Sequence, residues 1–123
     1  MDKHPKNHRF LVVEDEMLVL LMIEDMLDDL GCDVVASAAT AEQALDLIGA
    51  QSFDGALLDM NLNGAKSDKV AQALVARGVP FILCSGSSAL DVAPEFQDRP
   101  FLRKPFSFAE LADGVAKLNL SPL

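Results

Sequence analysis

Residues 10–31 read FLVVEDEMLVLLMIEDMLDDLG, and the pattern of this stretch decides the fold. Phe10 to Val13 is a short continuous apolar run, the signature of a strand buried on both faces. From Met17 onward the apolar residues recur at Leu20, Leu21, Met26, Leu27 and Leu30, which is mostly helical spacing, and Gly31 supplies the stop. The unit is one strand followed by one helix.

The unit repeats along the chain. Asp33 to Ala38 is a second strand candidate, and Thr40 with Gln43 forms a capping box ahead of Ala44, Leu45 and Ile48. Gly55 to Leu58 is a third apolar run that ends abruptly at Asp59, and Ser67 opens a helical pattern over Val70, Leu74 and Val75 that closes at Gly78. Phe81 to Cys84 is the fourth strand. The segment GSSALDVAPEFQD at 86–98 then has room for only a short helix, which Pro94 begins or interrupts. Phe101 to Arg103 is the fifth strand, and a capping box of Ser107 and Glu110 opens a final helix expected to carry Phe108, Leu111, Val115 and Leu118 inward. Five such units predict an α/β fold, a (βα)5 three-layer sandwich. Its parallel sheet has the flavodoxin-like order 2-1-3-4-5 and its fourth helix is short or irregular. Residues 1–9 form a polar N-terminal arm and 10–120 the domain.

Composition narrows the function. The 123 residues carry ten Lys+Arg against nineteen Asp+Glu, a formal charge of −9. With a pI near 4.4, the chain is poorly suited to neutralise a phosphate backbone, so no nucleic-acid partner is expected. A (β/α)₈ barrel, which needs about 250 residues, does not fit. No run approaches the roughly 20 apolar residues of a membrane span, and the first ten residues lack the apolar segment of a signal peptide, so a cytoplasmic protein without membrane contact is expected. Cys32 and Cys84 have no metal-ligand spacing and are expected to be reduced, buried thiols.

In an open parallel sheet, chemistry gathers at the carboxyl ends of the strands. There the chain places Glu14 and Asp15, then Asp59, Ser85 and Lys104. With strands one and three adjacent, three carboxylates converge, and two unit charges about 4 Å apart repel by about 4 kcal/mol at an effective dielectric near 20. A divalent cation such as Mg²⁺ offsets that repulsion economically. A carboxyl kept protonated, which would make the cluster a proton-handling site, is the alternative.

VVED at 12–15, LLDMNLNG at 57–64, ILCSG at 82–86 and FLRKPF at 101–106 together resemble the receiver domain of bacterial two-component response regulators, in order and over the whole span from Phe10 to Leu118. The resemblance implies that Asp59 is the phosphoryl acceptor and that Mg²⁺ is held by Asp15 and Asp59, by Glu14 largely through water, and by the Asn61 backbone carbonyl. Ser85 and Lys104 then hold the phosphoryl group, and Ser85 and Phe101 form the switch. It also implies a cis Lys104–Pro105 peptide. Two residues depart from the commonest pattern: Glu14 is the longer acidic variant, and Phe101 replaces the more usual Tyr, so the switch rests on packing without a phenol. Met60 is read as packing at the rim of the site, and His4 and His8 as residues of the arm without a role.

The implied function is a single-domain, phospho-accepting signal module. It takes phosphate from a sensor histidine kinase or a histidine phosphotransfer protein and signals through protein contacts made by the fourth helix, fifth strand and final helix. It catalyses only its own phosphorylation and dephosphorylation. Three other readings are weighed against it. A phosphate-independent interaction module of the same shape would keep the fold without the chemistry. A Mg²⁺-dependent aspartyl phosphatase of the haloacid dehalogenase type usually carries its nucleophile early and needs a further domain. A flavodoxin-like cofactor binder lacks, in this chain, any Trp or Tyr to stack on a flavin.

Overall fold

The computed structural model describes residues 7–86 and 92–120. Its main strands are β1 (His8–Val13), β2 (Cys32–Ala38), β3 (Gly55–Asp59), β6 (Phe81–Ser85) and β7 (Phe101–Arg103). They form one parallel sheet in the order β2-β1-β3-β6-β7, which is the expected 2-1-3-4-5. Helices α1 (Met17–Asp29), α2 (Ala41–Ala50), α3 (Asp68–Ala76) and α4 (Phe108–Lys117) alternate with the strands.

Two cores lie on the two faces of the sheet, because the side chains of each strand point alternately up and down. Leu11, Val13, Ala56, Leu58, Phe81 and Leu83 face α2 and α3, while Phe10, Val12, Leu57, Ile82 and Cys84 face α1 and α4. β3 and β6 are buried along their whole length, which is why they read as continuous apolar runs. Gly55 belongs to this packing: a Cβ there would sit 2.7 Å from Cζ of Phe10.

The structure departs from the expectations at several points. β1 starts at His8 rather than Phe10, because Arg9 is tied into the fold: its N–H donates to Asp54 Oδ2 at 2.7 Å and its carbonyl accepts from Asp54 N–H at 2.7 Å. Residues 1–6 of the expected arm lie outside the described residues. A hairpin of two short strands, β4 (Asn61–Leu62) and β5 (Ala65–Lys66), stands between β3 and α3 and was not anticipated. The fourth helical segment is a 3₁₀ turn, Pro94–Phe96, which Pro94 does begin. Phe96 anchors it edge-on to Phe81, the ring centroids 6.2 Å apart; residues 87–91 lie outside the described residues. Both capping contacts form, with Gln43 N–H donating to Thr40 Oγ1 and Glu110 N–H to Ser107 Oγ, each at 3.1 Å. Phe108, expected inward, is 43% exposed because it occupies the first turn of α4, and the buried residues of that helix begin at Leu111.

The apolar residues of α1 also divide differently. Ile23 and Leu27 face the core, with Leu20, Met26 and Leu30 packed beside them. Met17, Leu18, Leu21 and Met22 are exposed. Met17 to Ile23 is apolar throughout, so the spacing alone could not say which side turns inward.

Candidate functional site

Adjacent strands β1 and β3 deliver their C-terminal residues to the same edge, and Glu14, Asp15 and Asp59 meet there. Each offers one carboxylate oxygen within 4.8 Å of the others. Glu14 and Asp59 are buried, and Asp15 is half-buried. β6 brings Ser85, buried at its end, and β7 leads into Lys104, whose backbone N–H donates to the Ser85 carbonyl at 2.8 Å. The Lys104–Pro105 peptide is cis. Phe101 starts β7 beside Leu83 and is half-buried against the core. Glu14, Asp15, Asp59 and Lys104 thus converge, with Ser85 at the adjacent strand end, whereas Phe101 lies level with Leu83, two residues before the end of β7. The open cleft is lined by Asp15, Glu16, Asp59, Asn61, Gly64 and Lys104.

Lys104 is the cation of the cluster. Its Nζ lies 2.8 Å from Asp59 Oδ2, to which it donates a hydrogen bond, and 2.8 Å from Glu14 Oε1. Burial alone would lower the Lys104 pKa, but the bonds to Asp59 and Glu14 outweigh it and hold the ammonium above its ordinary range. Backbone donors take other carboxylate oxygens: Glu16 N–H donates to Glu14 Oε2 at 3.2 Å, Asn61 N–H to Asp59 Oδ1 at 3.0 Å and Asn63 N–H to Asp15 Oδ2 at 3.0 Å.

The hairpin explains two of these bonds. Its turn residues Asn63 and Gly64 both have positive φ, 52° and 83°, as a two-residue type I′ turn requires. Hydrogen-bonded and non-bonded pairs alternate in an antiparallel ladder, so with Leu62 and Ala65 flanking the turn, the Asn61–Lys66 pair makes no ladder bonds. The Asn61 N–H is therefore available to Asp59. Asn-Gly at 63–64 was the sequence signal for this hairpin, the strongest short-range one there is. Met60 is buried, and its N–H donates to the Cys84 carbonyl at 2.9 Å.

The donor set suits a hard divalent cation: three carboxylates whose oxygens lie within reach of one ion, with Asn61 lining the same cleft. Glu14, Asp15, Asp59 and the Asn61 carbonyl are the groups that would hold it. Cys84 lies one strand from Asp59, but burial, reinforced by the Asp59 charge, pushes its thiol far above the ordinary range and keeps it protonated. Cys32 is likewise buried, and both thiols are free.

Burial also raises the Glu14 pKa above 4.5, with Lys104 opposing and the Asp59 charge adding to the rise. An acid with a raised folded pKa binds more protons folded than unfolded between the two values, so stability falls as pH rises through that interval. Glu14→Gln is therefore expected to flatten this decline in metal-free protein. Thermal unfolding in EDTA across pH 4.5 to 8 checks this; parallel wild-type and variant curves would refute it.

The response regulator receiver domain family matches the chain over residues 10–116. Transcriptional regulatory protein CutR of Streptomyces coelicolor is 32% identical over 118 residues, covering 90% of this chain and 53% of that protein. The chain thus spans about half the length of that relative. Sporulation initiation phosphotransferase F of Bacillus subtilis is 25% identical, covering 90% of this chain and 93% of that protein. Among solved structures, SdrG from Sphingomonas melonis Fr1 superposes with a TM-score of 0.83 at 40% identity, covering 93% of this chain and 98% of that one.

Proposed function

The chain belongs to the response regulator receiver domain family, whose function is phospho-accepting signal reception, and from that premise we propose that Asp59 is the side chain that accepts the phosphoryl group. The observation that carries this reading is the position of Asp59. It is the buried carboxylate at the centre of the cluster, held through Oδ1 by Asn61 and paired through Oδ2 with Lys104. Oδ2 is the attacking oxygen. It forms a bond to phosphorus as the bond from phosphorus to the donor nitrogen breaks, and the donor histidine leaves with the electron pair.

Lys104 follows the charge from the carboxylate to the phosphoryl oxygens, where a fixed ammonium stabilises the transition state. The Ser85 hydroxyl donates to another phosphoryl oxygen. That bond draws the loop after β6 inward, and Phe101 packs into the space it leaves, so Ser85 and Phe101 act as the switch. Asp15, Asp59, the Asn61 carbonyl and, largely through water, Glu14 would hold a Mg²⁺ ion, which would neutralise charge on the equatorial oxygens.

The donor is a sensor histidine kinase or a histidine phosphotransfer protein, met in the cytoplasm. It must reach Asp59 from the cleft side. The exposed stripe of Met17, Leu18, Leu21 and Met22 begins just past Glu14–Glu16 and offers it an apolar contact surface. No helix among the described residues is long and apolar enough to cross a membrane.

Intact-protein mass after incubation with phosphoramidate and Mg²⁺ tests the reading. One phosphoryl adduct is expected, labile to acid and to base as an acyl phosphate is, and absent when EDTA replaces Mg²⁺. No adduct after a rapid quench would overturn it.

A further inference from the structure

Ser67 is fully buried and stands at the N-cap position of α3, yet its side chain caps nothing. The Val70 and Ala71 N–H groups of the first turn donate to the Ser67 backbone carbonyl, at 3.0 and 3.1 Å. The hydroxyl instead donates to the backbone carbonyl of Asp59, at 2.8 Å and eight residues back, while the Ser67 N–H donates to the Met60 carbonyl at 3.2 Å. These two bonds close the base of the β4–β5 hairpin, and Asn63 N–H on Asp15 Oδ2 ties down its tip. Asp59 is thereby gripped from both ends: its carboxylate by Asn61 inside the loop, its carbonyl by Ser67 at the loop's end. A serine that usually satisfies its own helix is here committed to the strand that carries the acceptor.

We propose that Ser67 is a positioning residue for the divalent cation and the phosphoryl acceptor, acting through its hydrogen bond to the Asp59 carbonyl. The bond fixes the main chain at Asp59 and at the turn into Asn61, so that the Asp59 carboxylate and the Asn61 carbonyl keep one common direction. This rests on the assignment of Asp59 above. Groups that orient a metal ligand from behind typically change metal affinity by ten- to a hundred-fold when removed.

The test is calorimetric titration of the full chain with Mg²⁺, comparing wild type, Ser67→Ala and Ser67→Cys, with thermal unfolding in EDTA as the check on folding. Phosphoramidate labelling is then followed against Mg²⁺ concentration. Ser67→Ala is expected to weaken Mg²⁺ binding about ten-fold and to raise the half-saturating Mg²⁺ concentration for labelling by a similar factor. Ser67→Cys, which fills the space with a weaker donor, is expected to fall between the two. Mg²⁺ affinity of Ser67→Ala within two-fold of wild type would overturn the proposal. Full affinity in Ser67→Cys would also overturn it, since packing and not the hydrogen bond would then be at work. If Ser67→Ala does not fold, Ser67→Cys decides alone by the same criterion. A wild type that neither binds Mg²⁺ nor labels overturns the Asp59 reading and this proposal with it, whereas a wild type that does both while Ser67→Ala matches it overturns only this one.

Discussion

Asp59→Asn is expected to reduce phosphoryl incorporation to background while the fold persists. The amide has the size of the carboxylate and keeps a carbonyl oxygen to accept from Asn61 N–H, so the local geometry survives. What it lacks is a nucleophilic oxygen, and its NH₂ group turned toward Lys104 adds a donor where an acceptor stood. Lys104 retains Glu14 as a partner at 2.8 Å, and one carboxylate is gone from a crowded cluster. Metal-free stability should therefore stay within about 1 kcal/mol of wild type, as is usual when one buried polar bond is exchanged for another of the same shape. Intact mass after phosphoramidate and Mg²⁺, beside an unfolding curve, measures both. Wild-type labelling of the folded variant would remove Asp59 as the acceptor and turn attention to Asp15, the nearest other carboxylate at the mouth of the cleft.

The sheet could be read from the chain because burial on both faces leaves little choice of residue. Strands such as Gly55–Leu58 and Phe81–Cys84 must be apolar at every position, and a polar residue directly after each run marks where the strand leaves the core. For the same reason Asp59, Ser85 and Lys104 stood out at strand ends, and the structure brings them together with Glu14 and Asp15. The orientation of α1 was not legible: seven consecutive apolar residues satisfy either face, and only packing against β2 and the sheet selects Ile23 and Leu27. The β4–β5 hairpin is too short to give an apolar pattern of its own, and Asn63–Gly64 is its one local signal in the sequence. Ser67 illustrates a deeper limit. Its position before a helix reads as a cap, and nothing local reveals that a carbonyl eight residues earlier takes the hydroxyl instead. Phe108 failed for a geometric reason, because helical spacing assigns a face but not the point at which the helix first meets the sheet.

Lys104→Met is expected to give the largest loss of stability of any substitution at the site. The side chain keeps its length and loses its charge, so Glu14, whose side chain is fully buried, and Asp59, whose side chain is 6% exposed, face each other without a cation. Removing one partner of a buried ion pair typically costs about 3 kcal/mol or more, because the charge left behind is neither solvated nor paired. In a domain of this size that corresponds to a fall in Tm of roughly 10 °C. The loss should deepen as pH rises. Without Lys104 only the Glu16 N–H still opposes the rise in the Glu14 pKa, so the folded protein holds its proton to still higher pH and stability declines over a wider interval. Mg²⁺ should recover much of the stability, since any cation that binds the folded cluster stabilises it by mass action. Phosphoryl transfer should not recover with it: a fixed donor aimed at developing charge is worth about 10²-fold in rate, and a Met thioether provides none. Unfolding curves in EDTA and in Mg²⁺ at pH 5 and pH 8, with labelling rates at saturating Mg²⁺, separate the two roles of Lys104. A variant as stable as wild type in EDTA at pH 8 would mean that the three carboxylates are held apart by something other than Lys104. A variant that labels at the wild-type rate would confine Lys104 to structure and leave the transferring phosphoryl group to Ser85 and the metal alone.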